Sequence, residues 1–126
     1  MLVGVDVLDV ARMEDLVKSE NFLNKYFTDY EVEYVKNKPH PAQSLAGIFA
    51  TKEAFLKALG IGIGGGIDLK EIEVNHYKSG KPYLILNSIK AQEKLDEFNV
   101  SAIDVSISHT ASVCTSICVL KGGEIV

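Results

Sequence analysis

The sequence predicts an α+β fold in which an antiparallel sheet packs against helices and one long helix is buried. Three observations predict it. β-rich runs at residues 2–7, 68–77, 81–86, 101–109 and 112–120 are interleaved with segments of helical period. Short turns join the later runs into hairpins, with Ser79-Gly80 between one pair. The stretch 43–59 is apolar nearly all round at helical spacing, the mark of a buried helix.

In chain order, residues 2–7 read as a short strand carrying Asp6 between Val5 and Val7. A helix follows over about 9–18, with Val10, Met13, Leu16 and Val17 as its apolar stripe, and a second helical piece covers 21–27. Thr28 and Glu31 form a capping box that starts a helix running to about Lys36. Asn37-Lys38-Pro39-His40-Pro41 breaks the chain, and the principal helix runs from about Gln43 to Leu59. Residues 60–66 hold five glycines in seven positions and must be a loop. Two strands, 68–77 and 81–86, flank the Ser79-Gly80 turn. Asn87 then caps a helix to about Phe98, and the strands 101–109 and 112–120 close the chain. The whole of 1–126 reads as one domain, with no repeat, linker or low-complexity tract.

Composition narrows the function. At 126 residues and 47% hydrophobic content the chain can bury a core without staples. No 18-residue apolar run suggests a membrane span, and the N-terminus lacks a secretory pattern. The net charge of −4 argues against general nucleic-acid binding. Cys114 and Cys118 lie on one strand, roughly 13 Å apart, beyond the ~7 Å a disulfide spans. They read as core residues of a protein in the reducing cytoplasm.

The chemistry concentrates at a few positions. On a helical wheel with Ala46 at zero, Ala50, Glu53 and Lys57 fall within about 40° of it. Charge on a buried helix needs a partner or a ligand, and the two alanines leave room for something bulky to approach. The plainer reading is an i, i+4 ion pair between Glu53 and Lys57. Asp6 is an acid inside a half-buried strand, which calls for solvent, a cap or a metal; the plainer reading is a helix cap. Ser106, Ser108, His109 and Thr110 put three hydroxyls and an imidazole at a strand end, suited to phosphate oxygens or to ordinary turn chemistry. The glycine loop can offer backbone N–H groups to an anion but is not a P-loop. Asp6 and Glu53 are a carboxylate pair of the kind that holds Mg²⁺ together with waters and phosphate oxygens.

These segments together resemble the holo-acyl-carrier-protein synthases, the small trimeric class of 4′-phosphopantetheinyl transferases. The matching pieces are Gly4-Val5-Asp6-Val7 with Arg12 downstream, Phe49-Ala50-Thr51-Lys52-Glu53-Ala54-Phe55-Leu56-Lys57-Ala58, the glycine loop from Gly60, Gly80-Lys81-Pro82-Tyr83, and Val105-Ser106-Ile107-Ser108-His109-Thr110. They occur in the family's order over essentially the whole chain. The resemblance implies transfer of 4′-phosphopantetheine from coenzyme A to a serine of apo acyl carrier protein, giving 3′,5′-ADP, in fatty acid biosynthesis. It implies Asp6 and Glu53 as Mg²⁺ ligands, with Glu53 and Lys57 catalytic. Lys57 would reach the pyrophosphate, and Lys52, pointing to the apolar flank, takes a weaker role. The resemblance also implies Gly62, Gly64, Gly65, Lys81, Ser108, His109 and Thr110 as coenzyme A contacts, His109 near the 3′-phosphate. Arg12 would meet the acidic carrier protein, with Lys18 and Lys25 extending a local basic face. Sites in this family lie between adjacent subunits of a homotrimer. Family members often carry a basic residue where this chain has Ile48, and Lys36, Lys38 or His40 are the candidates to replace it. The alternative is a non-catalytic coenzyme A or nucleotide-binding module, which would bind without turnover.

Overall fold

In a computed structural model, which describes residues 1–125, the elements run β1 (Leu2–Asp9), α1 (Ala11–Leu16), α2 (Glu20–Tyr26), α3 (Asp29–Lys36), α4 (Pro41–Ala58), β2 (Ile72–His76), β3 (Pro82–Leu86), α5 (Ile89–Glu97), β4 (Ala102–His109) and β5 (Val113–Lys121). The fold is α+β, as expected. A three-stranded antiparallel sheet has the order β1-β5-β4, and β2-β3 form a separate hairpin.

The core lies between that sheet and α4. Thirteen of the eighteen residues of α4 are buried, including Leu45, Ile48, Phe55 and Leu56. A helix this apolar is stable only with its whole circumference covered; β1 and β5 cover one side, and α1, α3 and β2 the others.

Local boundaries shift for physical reasons. β1 continues to Asp9 because its ladder with β5 runs through the Asp9–Val113 pair, so α1 starts late, at Ala11. α4 begins earlier than its apolar pattern, at Pro41, whose missing N–H costs nothing in a first helical turn. Residues 68–71 are not strand. Asp68 and Glu71 make a capping box around one turn of 3₁₀ helix, Leu69–Glu71, before β2 starts. The cap of α5 is Ser88, whose Oγ accepts from the Ala91 N–H, and not Asn87. The Thr28–Glu31 box forms as predicted.

Strand β1 is inverted relative to an ordinary half-buried strand. Gly4, Asp6 and Leu8 face the core, while Val3, Val5 and Val7 face outward. Both cysteines are free and buried. No helix among the described residues is long and apolar enough to cross a membrane.

Candidate active site

A close approach of strand to helix assembles the first cluster. A Cβ on Gly4 would fall on the Ala54 carbonyl oxygen and beside the Ala58 amide nitrogen. With no Cβ there, β1 lies directly on the α4 backbone. Asp6, two residues along on the same face, then reaches the helix face that carries Glu53 and Lys57. Asp6 is only 7% exposed. Its Oδ1 accepts from Lys57 Nζ at 2.9 Å, and this bond, more than the nearby negative charges, raises the Lys57 pKa. Lys57 thus pairs across elements with Asp6, and the Glu53–Lys57 ion pair of the plainer reading is absent among the described residues.

Asp6 Oδ2 is buried with no hydrogen-bond partner. The Glu53 carboxyl lies against this carboxylate. Burial first, then the contact with Asp6 and its negative charge, push Glu53 up to about 7, opposed by the charges of Lys57 and Arg12. Two ionised carboxylates have no donor between them; a proton on Glu53 or a cation between the pair resolves the conflict. Among the described residues no group of three or more His, Cys, Asp or Glu gathers to hold a metal. Mg²⁺ needs only one or two carboxylates when phosphates and water complete its shell, so an orphaned oxygen beside a second carboxyl fits it.

Arg12, exposed on α1, acts on Glu53 through its charge. The loop holding Gly62, Gly64 and Gly65 follows the last turn of α4, next to Lys57. Gly64 has φ +85°, and Lys90 Nζ holds the Gly65 carbonyl.

The second cluster lies on the opposite side of α4. A cavity of about 210 Å³ is lined by Gly47 and Ile48 of α4, Gly80 and Pro82 of the hairpin, Ile107 and His109 of β4, and also by Tyr34 and His76. At ~100° per residue, Ile48 points away from Glu53 and Lys57. Ile48 is buried and gives this cavity apolar surface. Of the three basic residues named to replace it, Lys38 places its Nζ 4.5 Å from the centre of the Tyr34 ring, which lines the cavity.

Other candidates have side chains engaged in local contacts. Lys81 Nζ is held by Asp104 Oδ1 at 2.9 Å and the Val105 carbonyl at 3.2 Å. Thr110 Oγ1 accepts from the Ser112 and Val113 amides, so its hydroxyl does turn work. Ser108 pairs with Thr115 and, beyond it, Val7 on the outer face of the sheet, whereas Asp6 faces inward. Ser108 therefore does not meet Asp6, and the cavity lined by His109 and Ile48 lies across α4 from Glu53 and Lys57.

Sequence reasoning missed a buried ion pair. Lys52 Nζ lies 2.6 Å from Glu31 Oε1 and donates to the Tyr26 and Leu69 carbonyls at 2.9 Å, with both side chains fully buried. Glu31 also accepts from the Thr28 and Val74 amides. Burial pushes the Glu31 carboxyl up and the Lys52 ammonium down, and the mutual contact opposes both shifts. The lone cation on the apolar flank of the wheel was the available signal, and Glu31 looked fully accounted for by its cap. His76 and Tyr34 carried no motif.

A sequence model described as the 4′-phosphopantetheinyl transferase superfamily matches residues 2–118. A holo-[acyl-carrier-protein] synthase of Syntrophus aciditrophicus (strain SB) is 40% identical over 121 residues, covering 94% of each chain. Another, of Halothermothrix orenii, is 44% identical over 109 residues, covering 85% of this chain and 86% of the relative. Among solved structures, Helicobacter pylori holo-[acyl-carrier-protein] synthase in complex with coenzyme A superposes with a TM-score of 0.81 at 33% identity, covering 95% of this chain and all of that one. The Bacillus anthracis holo-(acyl-carrier-protein) synthase in complex with CoA (3′,5′-ADP) gives 0.76 at 29% identity, with 94% of each chain covered. The chain belongs to the 4′-phosphopantetheinyl transferase superfamily.

Proposed function

We propose that this chain, as one domain over residues 1–126, is an Mg²⁺-dependent holo-acyl-carrier-protein synthase. It moves 4′-phosphopantetheine from coenzyme A to a serine of apo acyl carrier protein, and works in the cytoplasm in fatty acid biosynthesis. One observation carries the reading: the buried, unpartnered Asp6 Oδ2 beside the Glu53 carboxyl, with Lys57 on the same helix face. The synthase relatives and the coenzyme A-bound neighbours support the substrate pair.

In this mechanism the carrier serine oxygen attacks the β-phosphorus of coenzyme A as its proton passes to the Glu53 carboxylate or to water. The bridging P–O bond to the nucleotide phosphate breaks, and 3′,5′-ADP leaves. Phosphoryl transfer demands positioning and charge neutralisation above all. Asp6 and Glu53 would hold the Mg²⁺, and the ion would supply positive charge to offset the negative charge of the phosphates. Lys57, more than half exposed at its side chain, turns from Asp6 toward the leaving phosphate and neutralises it. Arg12, with the exposed Lys18 and Lys25, receives the acidic carrier.

The active unit is a homotrimer with sites shared between subunits. Support comes from two features. Glu53 and Lys57 lie on the opposite side of α4 from Ile48 and the cavity that His109 lines, which favours a second half supplied by a neighbouring copy. Val3, Val5 and Val7, at 51%, 56% and 68% exposure, with Ile117 beside them, form an uncovered apolar sheet face. The carboxylate assignment is tested with Asp6→Ala and Glu53→Ala. Each stays folded by circular dichroism and loses transfer; near-normal turnover in either at saturating Mg²⁺ removes the assignment.

A further inference from the structure

His76 ends β2 at the rim of the cavity that also contains His109, Gly80 and Pro82. Its ring is fixed on two sides. It stacks on Tyr34 with centroids 3.9 Å apart and planes 6° from parallel, and Tyr30 Oη lies 3.3 Å from its Nδ1. Burial and the nearby Tyr34 raise the Tyr30 pKa, so the hydroxyl keeps its proton and donates it to Nδ1. Burial, then the charge of Lys38, lowers the His76 pKa, so the ring is neutral at pH 7. A neutral imidazole that accepts at Nδ1 carries its proton on Nε2. Among the described residues Nε2 makes no hydrogen bond. The ring thus presents one oriented N–H donor at a cavity edge.

The occupant follows from size and charge. At about 210 Å³ the cavity is smaller than the roughly 300–1,000 Å³ of sites enclosing a whole drug-sized ligand, so it takes one end of a longer molecule. Its floor of Ile48, Ile107 and Pro82 suits a flat ring. Its polar edge carries the donor of His76 and the imidazole of His109, with the Lys38 ammonium behind Tyr34. A ring bearing an anion meets both requirements.

We propose that His76 is a specificity-determining residue that donates from Nε2 to the ribose 3′-phosphate of coenzyme A, with Tyr30 and Tyr34 as its positioning residues. The assignment rests on the transferase reading for the identity of the nucleotide, and its test separates the two. Calorimetric binding of 3′,5′-ADP and of 5′-AMP is compared for the wild-type chain, His76→Ala, His76→Gln and Tyr30→Phe. His76→Ala weakens 3′,5′-ADP about tenfold, the loss expected for one hydrogen bond to a charged group, and leaves 5′-AMP unchanged. His76→Gln, which keeps a donor, falls between. Tyr30→Phe keeps the ring volume and frees the tautomer, giving a smaller loss in the same direction. In turnover, His76→Ala raises KM for coenzyme A, leaves kcat, and leaves KM for dephospho-coenzyme A unchanged. Equal weakening of both nucleotides, or no weakening of either, overturns the assignment, as does a wild-type chain that binds the two alike. A wild-type chain that prefers 3′,5′-ADP and transfers nothing to a carrier removes the transferase reading while leaving His76 in place.

Discussion

Glu53→Gln should make the ligand-free protein more stable while removing its activity. Glutamine keeps the size of the side chain and brings an amide donor to the Asp6 oxygen that has no partner. An unsatisfied buried acceptor costs about 1–3 kcal/mol. Glu53 is only partly buried, so the lower end applies, about 1 kcal/mol, or about 3–5 °C in Tm for a chain of this size. The sign with pH is specific. The folded-state pKa of Glu53 is raised from its ordinary 4.5 to about 7. Between those values the folded state keeps a proton that the unfolded state has lost, so wild-type stability falls as pH rises through that window. Near pH 5, protonated Glu53 donates to Asp6 as the amide would, and the variant and wild type melt together. By pH 8 the variant melts higher. The assay is differential scanning calorimetry at both pH values, with and without Mg²⁺, beside carrier modification. Mg²⁺ stabilises the wild type by mass action and not the variant, whose turnover drops about a hundredfold or more. A stability gap equal at pH 5 and pH 8, or a variant less stable at pH 8, refutes the account of the carboxylate pair.

Gly4→Ala places a methyl group on the Ala54 carbonyl; chemical denaturation should show a loss of about 3 kcal/mol, and a loss under 0.5 kcal/mol contradicts the close packing of β1 on α4. Lys52→Met leaves Glu31 buried without its cation and should cost about 3–5 kcal/mol, whereas adding Glu31→Leu recovers most of that loss in the same unfolding assay; additive losses would mean the pair is not the source. Val5→Asp charges the exposed sheet face and should leave a monomer by light scattering where the wild type forms the proposed trimer, with activity lost alongside. Arg12→Glu should raise KM for the acidic carrier at least several-fold and flatten the salt dependence of association; an unchanged salt response removes α1 from the docking face.

Much of the fold was legible because periodicity and capping are local. The all-round apolar pattern of 43–59 located α4, and Thr28 with Glu31 located the start of α3. The residues of the first candidate cluster stood out for a related reason: acids and lysines that break apolar patterns are conspicuous, as Asp6, Glu53 and Lys57 are. What stayed hidden depends on contacts between distant segments. Nothing local says that Lys57 prefers Asp6, 51 residues away, to Glu53 one turn away. Nothing local marks Glu31 as both a cap and the partner of Lys52. The inversion of β1, valines out and acid in, reads from sequence as ordinary alternation, because the pattern gives the period and not which face meets the helix. His76 becomes visible only once the hairpin lays it against Tyr34.

The most direct measurement is the intact mass of an apo acyl carrier protein incubated with this protein, coenzyme A and Mg²⁺, with a parallel EDTA sample. The account predicts a gain of one phosphopantetheine, about 340 Da from its formula, and no gain with EDTA because the carboxylate pair then lacks its cation. Failure to modify any of several carriers despite measurable coenzyme A binding, or modification undiminished by EDTA, would contradict it.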